Sequence, residues 1–217
     1  MNRSDVRRLA TCGVLLGASF VLSFIKIIKF PFGGSVTLFS MVPVIMAGIL
    51  YGVKWGTFTS CGYAVLQLIQ SIATSESFVL DAFWKTTLMI LFDFIFAFAF
   101  LGLSGVFIKR DKRAKQRIAL RGALGTLLVT LLRYVMHVVS GAILFGTYAD
   151  WFFGNEAVNK LTNNLGTWAV STLSGNPLAW FYSLIYNGFF MIPEIILSVA
   201  AVFVLLKIPQ IKRWISF

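Results

Sequence analysis

The sequence predicts an all-α integral membrane protein with six transmembrane helices in one bundle, and two observations carry that prediction. The 217 residues are 58% hydrophobic and only 12% charged, with a mean hydropathy of +0.84, which is far from the composition of soluble domains. The chain also contains six apolar stretches near the roughly 20 residues that a helix needs to cross a bilayer. Since no soluble domain is left over, residues 1–217 are predicted to form a single six-helix membrane domain.

The six stretches follow one another along the chain with short polar connections. The first is long and leads directly into further apolar sequence, so it is expected to stay in the mature protein rather than act as a cleaved signal. Cys12 and Cys61 fall inside predicted spans, which favours small core residues over a disulfide or a metal pair. The approximate spans are residues 8–27, 36–52, 55–74, 86–108, 122–146 and 179–206.

Basic residues are distributed unevenly between the two sides of the predicted bundle. The termini and the second and fourth connections carry 14 Lys and Arg residues, whereas the odd connections carry four. The positive-inside rule therefore places both termini in the cytoplasm of a multi-pass, bacterial-type plasma membrane protein. The basic connection 109–117 is interpreted as a topology signal in contact with the lipid bilayer, and no aromatic or motif context favours nucleic acid as a partner.

Two outer connections are predicted to be non-helical. Residues 29–35 form a Pro- and Gly-containing break between the first two spans. Residues 149–177 form a long connection that carries Trp151 among several other aromatic side chains. Two interpretations of this connection stay open: an interfacial aromatic belt, or a lid over an external pocket.

Polar side chains inside three spans fall at a similar depth. Counting 1.5 Å per residue from the outer helix ends places Asp93 roughly 11 Å deep, His137 roughly 14 Å and Asn187 roughly 12 Å. Arg133 lies one turn deeper than His137 and is the expected counter-charge for Asp93 or Glu194. Ionisable residues are costly in a bilayer, so this layer is predicted to line a ligand site open to the exterior.

The fifth span presents a continuous face toward this layer. Arg133, His137, Gly141 and Phe145 recur at four-residue intervals, and the glycine is expected to leave room for a flat group against the helix. Such a pocket suits a flat, nitrogen-rich ligand. The alternative is that these polar groups only bond one another to hold the bundle. Further aromatic surface is expected from Trp180, Tyr182 and Tyr186.

Other short motifs in the chain do not predict catalysis. The string GLSG at 102–105 resembles a serine nucleophile motif, but Ser104 and His137 are separated by roughly 18 Å along the membrane normal. No phosphate-binding loop motif is present, and one His with two isolated Cys makes no metal site, so no enzyme is predicted. Gly13 and Gly17 form a GxxxG pair, which serves either packing inside the bundle or docking to another membrane subunit.

Four strings of the chain are distinctive: GGSVTLFSMVP (33–43), LFDFIFAFAFLGLSG (91–105), LLRYVMHVVSGAILFGTYA (131–149) and WFYSLIYNGFFMIP (180–193). They resemble the thiamine-specific substrate-binding (S) subunits of energy-coupling factor (ECF) vitamin transporters. The resemblance implies a subunit that captures thiamine from outside and topples in the membrane to deliver it. It also implies a transmembrane coupling subunit and two cytoplasmic ATPases as partners, so that ATP is used by the partners and this chain binds no cofactor.

The resemblance also assigns expected roles to single residues. Asp93 and Phe94 match positions that contact the aminopyrimidine, and Arg133 matches a basic position near that acid. The remaining matches are His137, Gly141 and Phe145 on the face that packs the thiazolium, Tyr182 and Asn187 on the last helix, and Gly13 and Gly17 at the coupling-subunit contact.

This chain departs from the family pattern at three places. Asp93 replaces the longer Glu of some members, and Phe94 lacks the hydroxyl of the more usual Tyr. Gly34 stands where some members place a stacking Trp, and the last outer loop is longer than expected. A related pyrimidine or thiazole precursor therefore stays an alternative ligand.

Two other function classes also stay open. A proton-coupled secondary transporter would use Asp93, Glu194, Arg133 and His137 as a relay, which is a common role for ionisable residues inside a membrane. A purely structural assembly subunit would bind no small molecule.

Overall fold

The computed structural model describes residues 2–30, 34–74, 82–108 and 117–215, most of which are helical. Four of the described helices are long and apolar enough to cross a membrane: Arg3–Ser23, Phe83–Gly105, Ile118–Leu144 and Asn176–Leu205. In chain order the elements are α1 (Arg3–Ser23), β1 (Lys26–Lys29), β2 (Ser35–Thr37), α2 (Val42–Tyr51), α3 (Val53–Ala73), α4 (Phe83–Gly105), α5 (Ile118–Leu144), α6 (Ala149–Gly154), α7 (Glu156–Leu161), α8 (Leu165–Thr172), α9 (Asn176–Leu205) and α10 (Pro209–Trp214).

The expected span 36–52 is wrong as a single helix. Its first residues form β2, which pairs with β1 in an antiparallel hairpin, and α2 has only ten residues. At 1.5 Å per residue such a helix is about 15 Å long, half the thickness of the hydrocarbon. The β-branched residues of both strands favour extended backbone, and Phe39 at φ 59° ends the strand before Pro43 opens the helix. The fold is therefore mostly helical, with one short antiparallel hairpin.

The other predicted spans correspond to described helices. The spans 55–74, 86–108, 122–146 and 179–206 match α3, α4, α5 and α9 to within four residues at either end. The span 8–27 matches α1, but its last residues turn out of the helix and enter β1. The basic residues 109–116, the loop residues 31–33 and the two acidic residues Glu76 and Asp81 lie outside the described part of the chain.

Helix α4 changes its winding along its length. A regular turn at Phe83–Met89 opens into a π-helix at Ile90–Phe96 and tightens to a 3₁₀-helix at Phe100–Gly105. π-Helical turns are uncommon and often occur at functional sites, because the wider winding re-aims a side chain. Asp93 lies at the centre of this wide segment.

One half of the bundle contains the start of α1 and the end of α9, and we call it the closed half. Its helices pack closely against one another at glycines. A Cβ on Gly102 of α4 would collide with the backbone of Thr57 on α3, and one on Gly125 of α5 would collide with the Ser104 carbonyl. Small residues allow such backbone approach between membrane helices. Ser104 donates a hydrogen bond to the Ile45 carbonyl at 2.7 Å, so its hydroxyl joins α4 to α2.

Candidate functional site

The opposite half, here called the open half, contains a cavity of about 150 Å³. Its walls come from the hairpin and from α3, α4, α5 and α9. Most of the residues singled out in the sequence line it: Gly34, Asp93, Phe94, Arg133, His137, Gly141, Phe145, Tyr182, Tyr186, Asn187 and Glu194.

Asp93 is held by two donors from α5. His137 Nδ1 lies 2.8 Å from Asp93 Oδ1, and Ser140 Oγ donates to Oδ2 at 2.5 Å. Arg133 Nε donates to His137 Nε2 at 3.2 Å. Because arginine only donates, Nε2 must accept, so the imidazole is neutral and its hydrogen sits on Nδ1. Asp93 thus accepts on both oxygens, which suits an ionised carboxylate that faces the cavity.

Arg133 lies within electrostatic range of Glu194 and Asp93, as a counter-charge must, but its guanidinium contacts neither carboxylate directly. Among the described residues it forms no ion pair with Asp93 or Glu194; it reaches Asp93 only through His137. Its guanidinium lies 4.3 Å from the centre of the Phe98 ring, a cation-π arrangement, and Nη1 contacts the sulfur of Met41 at 2.6 Å. The reason is the one-turn offset, which puts His137 between the arginine and the carboxylate.

Asn187 and Gly141 join α9 to α5. Asn187 Nδ2 donates to the His137 carbonyl at 3.2 Å and to the Ser183 carbonyl at 2.8 Å. A Cβ on Gly141 would lie 3.0 Å from Asn187 Nδ2 and closer still to Ser183 Oγ. The direction in which a side chain would extend from this glycine is therefore filled by α9, while Gly141 itself lines the cavity. Asp93, His137 and Asn187, which were predicted to share one depth, do lie close together.

An aromatic wall lines the cavity along α9. Tyr182, Tyr186 and Phe190 recur every fourth residue, with ring centroids 5.6 and 6.3 Å apart. Phe190 also meets the His137 ring edge-on at 5.8 Å. Phe94 and Phe145 add rings from α4 and α5. Such surfaces favour flat ligands, and their faces attract cations.

Two tryptophans expected near the pocket do not line it. Trp180 is 46% exposed, because two residues along a helix turn it by about 200° from Tyr182. Trp151 is 51% exposed and borders a separate apolar cavity of about 230 Å³ beside Phe189. The connection 149–177 was expected to be non-helical, but it forms α6, α7 and α8. The buried Phe152 of α6 packs against Tyr182 of α9, with ring centroids 5.4 Å apart.

Gly13 and Gly17 lie on the outward face of α1. No atom lies within 4 Å of a Cβ built on either residue, so packing inside the bundle is the wrong interpretation of this GxxxG pair. The face continues through Val14 and Val21, which are 71% and 65% exposed. This surface is available to lipid or to another membrane subunit.

Sequence reasoning missed several residues of the site. Ser140 follows His137 by three positions, so helical spacing was the signal that could have identified it. Phe190 continues the four-residue row of Tyr182 and Tyr186, so the same spacing could have identified it. Met41, Phe98 and Thr37 carried no such signal, since their position depends on the packing of other helices. In the searched, described part of the chain, no group of three or more His, Cys, Asp or Glu side chains is placed to hold a metal ion.

Comparison with known proteins gives three similarities. A family model described as "Thiamine transporter protein (Thia_YuaJ)" matches residues 9–156. Thiamine transporter ThiT of Bacillus subtilis (strain 168) is 27% identical over 205 residues, covering 91% of this chain and 89% of that protein. A solved structure of ThiT from Listeria monocytogenes is 19% identical, with a TM-score of 0.67 over 97% of this chain and 99% of the other. This last similarity concerns the fold.

Proposed function

The chain belongs to the thiamine transporter protein family, and from this premise we propose that it is the substrate-capturing subunit of an ATP-driven ECF-type importer that binds thiamine. It is a multi-pass protein of the bacterial plasma membrane. The family is one of transporters rather than enzymes. In this proposal the cavity opens to the extracellular side and both termini face the cytoplasm.

The observation that carries the proposal is the setting of Asp93. Its carboxylate faces an aromatic-walled cavity, while the neutral His137 and Ser140 hold both of its oxygens. Thiamine is a cation made of two flat rings, a thiazolium and an aminopyrimidine whose amino group donates hydrogen bonds. A carboxylate that already has two neutral donors retains its negative charge, so it attracts both the amino group and the cation. The aromatic wall along α9 supplies stacking surface for the rings.

The roles of the other subunits follow from the same proposal. A transmembrane coupling subunit docks on the outward face of α1 around Gly13 and Gly17, and two cytoplasmic ATPases hydrolyse the ATP. The chain topples in the membrane to deliver its ligand and itself holds no cofactor. The closed half supports the proposal that this chain moves as one rigid body, because its helices meet at backbone distance around Gly102 and Gly125.

The binding proposal is tested by calorimetric titration of the purified full-length chain in nanodiscs. We expect saturable, submicromolar binding of thiamine, with weaker binding of the separate pyrimidine and thiazole precursors. Calorimetry is preferable to tryptophan quenching, because no tryptophan is among the described residues that line the cavity. Tighter binding of a precursor would reassign the ligand, and no binding of any of the three would overturn the proposal.

The docking proposal is tested with Gly17→Leu. The added side chain projects into open space, so thiamine binding and melting temperature should match those of wild type. Co-purification with the coupling subunit should fall, since the bulk keeps the helices apart. Gly154→Leu is the matched control, because a Cβ there also meets open space. Unchanged co-purification of Gly17→Leu would contradict this docking surface.

A proton-coupled secondary transporter is the second candidate. The observation that favours it is the continuous hydrogen-bonded row from Arg133 through His137 to Asp93. The discriminating measurement is uptake of thiamine by this chain alone in proteoliposomes with an imposed proton gradient. Accumulation without ATPase partners would favour the second candidate, and its absence favours the ECF proposal.

A further inference from the structure

Glu194 is a buried carboxylate that the proposed ligand contacts do not use. It lies on α9 directly after Pro193 and is 3% exposed. Its Oε1 accepts from the Thr37 backbone N–H at 2.5 Å and from the Thr37 hydroxyl at 2.7 Å. A buried carboxylate is costly unless its oxygens are hydrogen-bonded. Both donors come from β2, so the carboxylate joins the hairpin to α9.

The hydroxyl of Thr37 extends this contact into the start of α2. Thr37 Oγ1 lies 2.6 Å from Ser40 Oγ. Since the Thr37 hydroxyl gives its hydrogen to Glu194, the Ser40 hydroxyl must donate to Thr37. The chain Ser40, Thr37, Glu194 is buried at each residue. It therefore holds the segment between β2 and α2 at one fixed level of α9.

A second contact lies one turn nearer the cavity opening. Gly34, which precedes β2, lies so close to Phe190 that a Cβ there would be 2.7 Å from the ring. Phe30, which follows β1, lies 6.2 Å from the same ring, centroid to centroid. Phe190 and Glu194 are four residues apart and so lie on one face of α9. The two ends of β2 thus meet α9 at successive turns, and both Gly34 and Thr37 line the cavity.

The two isoleucines of the outer strand bury little surface that could hold the hairpin. Ile27 and Ile28 are 57% and 47% exposed, whereas Val36 and Thr37 of β2 are 3% and 8% exposed. The position of this cavity wall therefore depends on β2. Of the contacts at β2, the one to Glu194 involves a charge, and hydrogen bonds to charged groups are stronger than those between neutral groups.

We propose that Glu194 is a positioning residue that fixes β2 against α9 and thereby sets how long a ligand stays in the cavity. The inference about residence time rests on the proposed thiamine binding, whereas the inference about the position of β2 does not. Glu194 acts through Thr37 and needs no contact with the ligand. Its removal should therefore speed ligand release more than it slows ligand capture, since a wall that is loosely held opens more often.

The test compares three variants of the full-length chain in nanodiscs. Glu194→Gln keeps the size of the side chain but removes its charge. Thr37→Val removes the hydroxyl and keeps both the backbone N–H and Glu194. Ser198→Ala is the matched control, because Ser198 is buried one turn further along the same face of α9 and its hydroxyl has no partner among the described residues.

Two measurements are made on each variant. Hydrogen exchange followed by mass spectrometry reports the protection of residues 34–40 without ligand. Stopped-flow mixing and a chase with unlabelled vitamin report the association and dissociation rates of labelled thiamine. For Glu194→Gln we expect about tenfold faster exchange in this segment and about tenfold faster dissociation, from the loss of a charged acceptor. We expect its association rate to change by less than about twofold, and Thr37→Val to shift both measurements less in the same direction.

Each outcome decides one part of the inference. Unchanged exchange at residues 34–40 in both Glu194→Gln and Thr37→Val would overturn the positioning role. Slower association with unchanged dissociation would also overturn it, because a loosely held wall must speed ligand release. If wild type binds no thiamine, the proposed function fails, while the exchange measurement on ligand-free protein still decides whether Glu194 holds β2.

Discussion

In the closed half of the molecule, Gly102 of α4 lies so near Thr57 of α3 that no Cβ fits between them. In the open half, the same α4 lies far enough from α5 for Asp93, His137 and Ser140 to hydrogen-bond across the gap. Helix α4 thus passes from backbone contact to side-chain contact within about three turns. The π-helical winding around Asp93 lies where this change occurs.

The difference teaches how one bundle combines rigidity with a binding cavity. Glycines bring helices together and leave no volume for a ligand, whereas long polar and aromatic side chains keep helices apart and enclose one. The closed half is therefore expected to set stability and the open half to set affinity. The comparison would be contradicted by substitutions in the closed half that change affinity but not stability, or by substitutions in the open half that do the reverse.

The largest effect is expected from Gly102→Val in the closed half. The added side chain would collide with backbone atoms of α3, and overpacking of this kind costs about 3 kcal/mol when the obstacle is backbone. The measurement is the melting temperature of the purified protein, with Gly154→Val as control because a Cβ there meets open space. A melting temperature like that of wild type would show that the closed half tolerates separation of its helices.

A smaller and different effect is expected from Asp93→Ala in the open half. Loss of a charge-assisted contact should weaken thiamine binding by about 2 kcal/mol, and His137→Ala, which removes the support of that carboxylate, should act similarly. Titration calorimetry measures the affinity, and Asp93→Asn separates the effect of charge from that of size. Wild-type affinity in purified Asp93→Ala would exclude this carboxylate from the ligand site.

The smallest effect is expected from Trp180→Ala. This side chain is 46% exposed and does not line the cavity, so affinity should change by less than about 0.5 kcal/mol. Tyr182→Ala, two residues away and 2% exposed, should weaken binding clearly by comparison. Equal losses in the two variants would mean that the aromatic wall extends around α9 further than the cavity does.

Much of the site was predictable because depth in a helix follows from residue number. A rise of 1.5 Å per residue brought Asp93, His137 and Asn187 to one layer, and the structure joins them through His137. What failed was a statement about direction. Trp180 points away from the cavity. The angle between two side chains on one helix follows from their spacing, but which side of the helix faces the cavity depends on the neighbouring helices, and a single sequence does not contain that information.

The sequence by itself determined that this is a helical membrane protein, because apolar length and charge are additive along the chain. It also determined which polar residues share a depth, and its motifs indicated the family. Only the tertiary structure decided that Arg133 reaches Asp93 through His137, that Ser140 supports the carboxylate, and that Glu194 holds β2. These contacts join segments as far apart as Thr37 and Glu194, so they exist only when the packing of the whole bundle has brought those segments together.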